Sequence, residues 1–319
     1  MTPRKEPIFI QRYIADSQAL REEIVAGLTR ARATLSPKHF YDRLGSQLFT
    51  AITELPEYYP TRTEAGILAA HGAEITRQVG TGSTWIDLGA GDCSKSLRLF
   101  PLLAPARYVA IDISVDFLRD ALAEVQRQYP ALDLLGIGLD FSASLGLPPE
   151  ATIGRPVFFY PGSSIGNFTP GDALAFLRRV RAAAAGGGLL IGVDVVKPAE
   201  ILEPAYDDAL GVTAAFNLNA LLHVNRLIGS DFDVARWKHA SFYNARLSRI
   251  EMHLQARTEQ IVAWPGGSRA FAAGERIHTE NSYKYARDAF AALLREAGFG
   301  EPRCWTDERG WFAVYWANA

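Results

Sequence analysis

The residues best equipped for chemistry in this chain fall in short words. Gly89-Ala-Gly91 follows an apolar run from Ser83 to Leu88 and precedes a segment of helical spacing from Ser94 to Leu103. A strand, a turn without Cβ atoms and a helix in that order let backbone approach a ligand closely. Asp112 stands 23 residues beyond Gly89 at the end of a second, β-branched run, near the ~20-residue offset at which a carboxylate reaches ribose hydroxyls. Ser94 occupies the place where a dinucleotide fingerprint needs its third glycine. That glycine permits close helix–strand packing around a pyrophosphate, so its loss favours a nucleoside without phosphates. No Gly-Lys-Ser/Thr loop is present for phosphate chemistry. Lys95 adds a cation beside the turn, suited to a carboxylate. Metal chemistry is not expected: the cysteines are Cys93 and Cys304, and the six histidines include no i, i+4 pair around a glutamate.

The elements that must position these groups alternate. Strands are expected at Ser83–Leu88, Arg107–Ile113, Leu134–Leu139, Pro156–Tyr160 and Leu189–Val196. The last is a continuous apolar run of the kind parallel sheets bury on both faces. Helices lie between them. One starts at Ser114 with Leu118, Ala121, Leu122 and Val125 at helical spacing, and another at Thr169-Pro170-Gly-Asp172 with a cap, a first-turn proline and an early acid. This βα alternation predicts a doubly wound α/β sheet. Before it, residues 1–20 read as a loose lead-in, Ala19–Ala33 as a short helix, and Lys38–Gln78 as helical with breaks at Pro56 and Pro60. Between Pro198 and Tyr283 the alternation stops: a helical stretch to about Ile228 precedes strands such as Ser248–Ala256. A helix from Lys284 to Ala297 and two strands, Arg303–Asp307 and Trp311–Ala317, close the chain.

Composition sets the outer limits. A chain of 319 residues suggests about two domains. The expected division is 61–197 with 284–319 for the cofactor, and 1–60 with 198–283 for the substrate. With 33 basic and 35 acidic residues the formal net charge is −2, so no overall field draws the protein to nucleic acid or to an anionic membrane. No run of 18 apolar residues occurs, and Met1 to Ala15 has neither a long apolar core nor a small-residue cleavage site. A cytoplasmic monomer acting on a small molecule is expected.

The closing helix and strand pair resembles the end of the seven-stranded Rossmann-like sheet of class I S-adenosylmethionine-dependent methyltransferases, in which the last strand is antiparallel. Asp140-Phe141 resembles the acid and apolar neighbour with which that class binds adenine. Other words are more specific: Tyr41-Asp-x-x-Gly45-Ser46, Leu55-Pro-Glu-Tyr58-Tyr59-Pro60-Thr-Arg62, Gly162-Ser-Ser-Ile-Gly166-Asn167, Ala205-Tyr206-Asp207-Asp208 continuing to Thr213-Ala-Ala-Phe216-Asn217, Ile250-Glu251-Met252, and Glu280-Asn-Ser282. Together they resemble the histidine-specific N-alpha-methyltransferases of ergothioneine biosynthesis. The resemblance implies a second α+β substrate-binding domain, S-adenosyl-L-methionine as methyl donor, and L-histidine trimethylated on its α-nitrogen to hercynine.

Carried over position by position, the resemblance assigns Tyr58, Asn167 and Tyr206 to the amino acid's backbone end, Glu280 and Ser282 to the imidazole, and Met252 and Gly162 to the pocket lining. Tyr41, Gly89, Gly91, Lys95, Asp112, Asp140 and Phe141 fall to the cofactor. Two phenols and a carboxamide can donate to a carboxylate without adding positive charge beside a sulfonium. In an extended segment Glu280 and Ser282 project to one face, so a carboxylate can accept from the ring N–H while a hydroxyl donates to the bare nitrogen. No residue is assigned as a catalytic acid or base. Asp92 and Cys93 depart from the family pattern after the second glycine and leave the local cofactor contact open. Thr213 and Phe49 are placed near the substrate. Another amino acid or an indole derivative as acceptor, and a non-catalytic S-adenosylmethionine-binding module, stay open as alternatives.

Overall fold

The structure, a computed structural model, describes residues 5–11, 17–142 and 144–319. In chain order the elements are β1 (Ile8–Gln11), α1 (Ser17–Leu28), α2 (Arg43–Thr53), α3 (Tyr59–Val79), β2 (Thr84–Leu88), α4 (Ser94–Leu103), β3 (Arg107–Asp112), α5 (Val115–Gln128), β4 (Asp133–Gly138), β5 (Pro156–Tyr160), α6 (Pro170–Ala183) and β6 (Gly188–Asp194). Then come α7 (Ala199–Leu202), α8 (Val212–Ile228), β7 (Trp237–Asn244), β8 (Arg249–Ala256), β9 (Gln260–Trp264), β10 (Gly267–Phe271), β11 (Arg276–Tyr283), α9 (Arg287–Glu296), β12 (Arg303–Thr306) and β13 (Phe312–Asn318).

These elements form two compact units. The first takes β1 together with Pro60–Val196 and Lys284–Ala319; the second takes the described residues from Ser17 to Tyr59 together with Lys197–Tyr283.

The first unit is built on one sheet in the order β1-β4-β3-β2-β5-β6-β13-β12. Its strands run parallel except at β13, which is antiparallel to both β6 and β12. Strands β2, β5 and β6 are buried at every residue, as a sheet covered by helices on both faces requires. One core packs Ile86, Val109, Ile137, Phe158 and Ile191 with Phe176 of α6 and Phe290 of α9; the other packs Trp85, Tyr108, Phe159 and Trp316 with Leu99 of α4 and Leu122 of α5. Thr169 caps α6 by accepting the Asp172 N–H at 3.3 Å, and Pro170 enters at the position where a missing N–H costs nothing.

Three local expectations change. The lead-in expected to be loose supplies β1, which pairs in parallel with β4 and adds an eighth strand to the expected seven; it belongs to the sheet unit and not to the second. Residues 1–4 and 12–16 of that lead-in lie outside the described residues. Pro60 does not break a helix but stands in the first turn of α3, where its fixed φ is already helical. The closing helix begins at Arg287 and not Lys284. Lys284 and Tyr285 are held to the end of β6, the Lys284 ammonium 2.7 Å from the Asp194 carboxylate and the Tyr285 N–H donating to the Asp194 carbonyl at 3.0 Å.

The second unit contains a three-stranded antiparallel sheet, β11-β8-β7, a β9–β10 hairpin and helices α1, α2, α7 and α8. Its core joins Ile24 and Leu28 of α1 to Leu221 and Val224 of α8 and to Trp237, Leu254, Phe271 and Ile277 of the strands. Asp208 starts α8 by accepting the N–H groups of Val212 and Thr213 at 3.0 and 2.7 Å. Burial works against ionisation of that carboxyl, but these backbone bonds outweigh it and lower its pKa.

Candidate active site

In the sheet unit, β2 runs into a turn whose glycines take positive φ, 74° at Gly89 and 53° at Gly91. The turn is fixed from the neighbouring strand. Asp112, at the end of β3, accepts the Gly91 N–H on Oδ2 and the Ser114 N–H on Oδ1, both at 2.9 Å. Burial raises the Asp112 pKa, and the two backbone donors pull against that rise. A Cβ at Gly91 would meet nothing within 4 Å, and one at Gly89 would meet only the Phe141 ring at 3.8 Å. The cradle is therefore open, with an aromatic face beside it and a carboxylate at its rim, which suits the S-adenosylmethionine expected from the sequence.

Asp140 directs Oδ1 at the N–H and hydroxyl of Ser142. Phe141 is half-buried, edge-on to Tyr160 at 5.7 Å. Cys93 ends the turn with φ 62° although it is not glycine, and it is fully buried; Asp92 is exposed and accepts the Ser94 N–H at 3.0 Å.

Lys95 projects from α4 to a partner that no motif in the sequence marks. Its ammonium lies 2.8 Å from Oε2 of Glu64, a buried residue of α3, while Oε1 of the same carboxylate accepts the Gly162 N–H at 2.8 Å. Gly162, φ 75°, opens the loop after β5 that ends in the short turn Ser164–Asn167. Gly162 and Lys95, assigned to different ligands, thus meet at one carboxylate. Asn167 is half-buried at the end of that turn.

In the second unit, Tyr58 and Tyr206 are each 9% exposed with ring centroids 6.3 Å apart. Phe49 links Tyr58 to Tyr41, at 6.2 and 5.8 Å, so Tyr41 joins the aromatic group of this unit. The Tyr206 and Ser282 hydroxyls are 2.7 Å apart. Met252 of β8 stands opposite Glu280 of β11, and Ile250 opposite Ser282. A bulge between His278 and Glu280 sets this register, and the buried Thr279 hydroxyl donates to the Met252 carbonyl at 3.0 Å. Glu280 and Ser282, two residues apart after the bulge, face the side that carries Met252.

His239 is a second residue the sequence did not single out. Asn217 donates to its Nδ1 at 2.8 Å, so Nε2–H donates to the Tyr206 carbonyl, also at 2.8 Å. Burial lowers the His239 pKa, which keeps this tautomer neutral. Asn217 had closed one of the recognised words, and that was the available signal. On the other face of the same sheet, Glu251, His253 and His278 bring ligand-type atoms within 4.8 Å of one another. Helical spacing misses such a group because strands align i and i+2. Its carboxylate is engaged by Arg249 at 2.6 Å and Asn244 at 2.9 Å.

The family model for histidine-specific, S-adenosylmethionine-dependent methyltransferases matches residues 20–319. The chain belongs to that family. It is 42% identical to a histidine N-alpha-methyltransferase of Mycolicibacterium smegmatis over 94% of this chain and 95% of the relative. It is 40% identical to the enzyme of the same name from Mycobacterium tuberculosis, over 93% and 94%. A third relative, ergothioneine biosynthesis protein 1 of Neurospora crassa, is 30% identical across 83% of this chain, which spans 31% of that longer protein. Within this family the sheet of the first unit, with β1 as an added edge strand, is the class I methyltransferase sheet, and the methyl donor is S-adenosylmethionine. Among the described residues no helix is long and apolar enough to cross a membrane.

Proposed function

We propose that the protein transfers three methyl groups from S-adenosylmethionine to the α-amino group of L-histidine, giving hercynine for ergothioneine biosynthesis. The observation that carries the reading is the shared face of Glu280 and Ser282, with Tyr206 2.7 Å from the serine hydroxyl, in a chain of the histidine-specific family. Imidazole offers one N–H and one bare nitrogen. Glu280 accepts from the first; with Tyr206 donating to Ser282, the serine proton is directed to the second. An analogue lacking either group leaves a buried polar partner unpaired, which is costly.

Tyr58 and Asn167 donate to the carboxylate at the amino acid's backbone end, with Tyr206, whose one O–H goes to Ser282, beside them, and Met252 and Gly162 line its pocket. His239 keeps the Tyr206 backbone in place. Gly89, Gly91, Lys95, Asp112, Asp140 and Phe141, with Tyr41, hold the cofactor. When bound, S-adenosylmethionine supplies an electrophilic methyl on a sulfonium. The protein's part is alignment of the amine within the roughly 3 to 3.5 Å of a near-attack arrangement. An α-amino group has a pKa of about 8 in peptides, so at neutral pH the amine must lose a proton before each attack, and none of the assigned groups is a histidine, cysteine or second lysine that would serve as base. The amine therefore loses its proton to water or a tyrosine. The protein acts in the cytoplasm on a free amino acid, as a monomer and without nucleic acid.

Incubation with S-adenosylmethionine and L-histidine, followed by mass spectrometry, tests the reading. A trimethylated product is expected. Methylation of another amino acid in preference to histidine, across a panel, would overturn the substrate assignment while leaving the enzyme class intact.

A further inference from the structure

Glu64 takes no part in the sites assigned so far, yet it joins three pieces of the sheet unit's C-terminal edge. It sits on α3, 1% exposed. Its Oε2 is 2.8 Å from the Lys95 ammonium at the start of α4, and its Oε1 accepts the Gly162 N–H, also at 2.8 Å, in the loop after β5. Beneath it, β6 carries glycine at position 192, where a Cβ would stand 2.0 Å from Oε1. A smaller strand residue is thus required by the carboxylate. Lys95 is less enclosed than its partner, its side chain 28% exposed against 2% for Glu64. An ammonium has three N–H donors, so one ion pair does not exhaust it.

The charge of this pair bears on the ligand. S-adenosylmethionine carries a carboxylate, an ammonium and a sulfonium; its demethylated product, S-adenosylhomocysteine, has a neutral thioether and is otherwise the same. A lysine placed to meet the carboxylate also repels a sulfonium on the same small molecule. We propose that Glu64 is a positioning and charge-balancing residue: it aims Lys95 at the donor's carboxylate and cancels the lysine's repulsion of the sulfonium. The protein thereby avoids favouring spent product over fresh donor. This inference rests on the assignment of Lys95 and the glycine turn to S-adenosylmethionine.

The test is the ratio of dissociation constants for the two ligands, measured by calorimetry on the full chain. Glu64→Gln keeps an oxygen for the Gly162 N–H and removes only the charge. The ratio of the donor's Kd to the product's Kd is expected to rise about three- to tenfold, as for unit charges separated across a partly buried site. Lys95→Met leaves the carboxylate uncompensated and is expected to shift the ratio the other way. The double variant returns it to within about twofold of wild type. A merely structural Glu64 would weaken both ligands alike, and equal losses in Glu64→Gln overturn the proposal. If Glu64→Gln does not fold by circular dichroism, the sign of the shift in Lys95→Met decides, and an unchanged ratio there overturns it. Wild type binding both ligands with a ratio deaf to these charges defeats the inference alone. Wild type binding neither defeats the cofactor assignment, and the inference with it.

Discussion

The glycine turn of the first unit and the three-stranded sheet of the second present polar groups by opposite means. At the turn the protein shapes its backbone: Gly89 and Gly91 adopt positive φ, and the Asp112 carboxylate is spent largely on fixing Gly91 and Ser114. On β11 the backbone is ordinary apart from one bulge, and side chains from distant segments do the presenting, Ser282 bonded to Tyr206 and Met252 set against Glu280. Backbone recognition tolerates few substitutions at few positions. Side-chain recognition spreads over more residues and can be retuned one group at a time.

The largest effect is expected at the turn. Gly91→Val forces a β-branched residue to φ 53° and strains the N–H held by Asp112. Left-handed strain and a weakened charged hydrogen bond together predict a loss of donor affinity on the order of 100-fold or more. Calorimetry with S-adenosylmethionine measures it. Donor affinity within a few-fold of wild type would show that the turn does not hold the ligand.

The two units should also answer acid with opposite signs. Asp87 of β2 is buried with its carboxylate 2.5 Å from the Ser96 hydroxyl and 2.9 Å from that of Tyr108, and desolvation pushes its pKa up to about 6. The folded state therefore holds a proton that the unfolded chain has released. This contribution is present in full below the unfolded pKa and is lost as pH rises to about 6. His253 of β8 is held down to about 4 by burial, with the neighbouring His278 adding to it. Its contribution is full above the unfolded histidine value and is lost as pH falls to about 4. Each is worth about 3 kcal/mol by linkage, so in wild type they oppose one another between pH 4 and 6. Asp87→Asn should unmask a steeper acid destabilisation, and His253→Gln should reverse it. Thermal unfolding midpoints across that range report both. Parallel slopes in all three proteins would contradict the assignment.

Next in size is Glu280→Ala. Removing a charged acceptor for the ring N–H predicts a KM for histidine raised about 10- to 100-fold, with the KM for S-adenosylmethionine nearly unchanged. Equal rises in both would make Glu280 structural and erase the division of labour between the units.

How far the sequence reveals each region follows from the same contrast. The sheet unit was legible because strand, glycine turn and helix are contiguous and their periodicities are local. The antiparallel β13 was expected only through the resemblance of the closing helix and strand pair to the class I methyltransferase sheet. What escaped was long-range. Glu64 finds its partners 31 and 98 residues away, and β1 gains its place only by pairing with β4. In the second unit the words around Tyr58, Tyr206 and Glu280 carried the expectation through family resemblance. Spacing alone does not bring Tyr206 to Ser282, 76 residues apart, nor set His239 beneath the Tyr206 carbonyl. The helix start at Tyr59 is hidden in the sequence because proline reads there as a breaker, whereas in a first turn it is an initiator.

The smallest expected effect probes whether the side-chain region acts as one unit. Tyr206→Phe removes the phenol that orients Ser282, and Ser282→Ala removes the hydroxyl that the phenol orients. If the two act on histidine only through their shared bond, the double variant should lose little more affinity than either single one, with a coupling energy of about 1 kcal/mol. The Tyr206 backbone stays fixed by His239 at 2.8 Å in every variant, so the cycle isolates the hydroxyl pair. Full additivity in histidine KM would mean that Tyr206 and Ser282 touch the substrate independently, with the phenol serving the carboxylate end alone. The means of recognition in the second unit would then be separate contacts, in contrast to the coupled carboxylate and amides of the glycine turn.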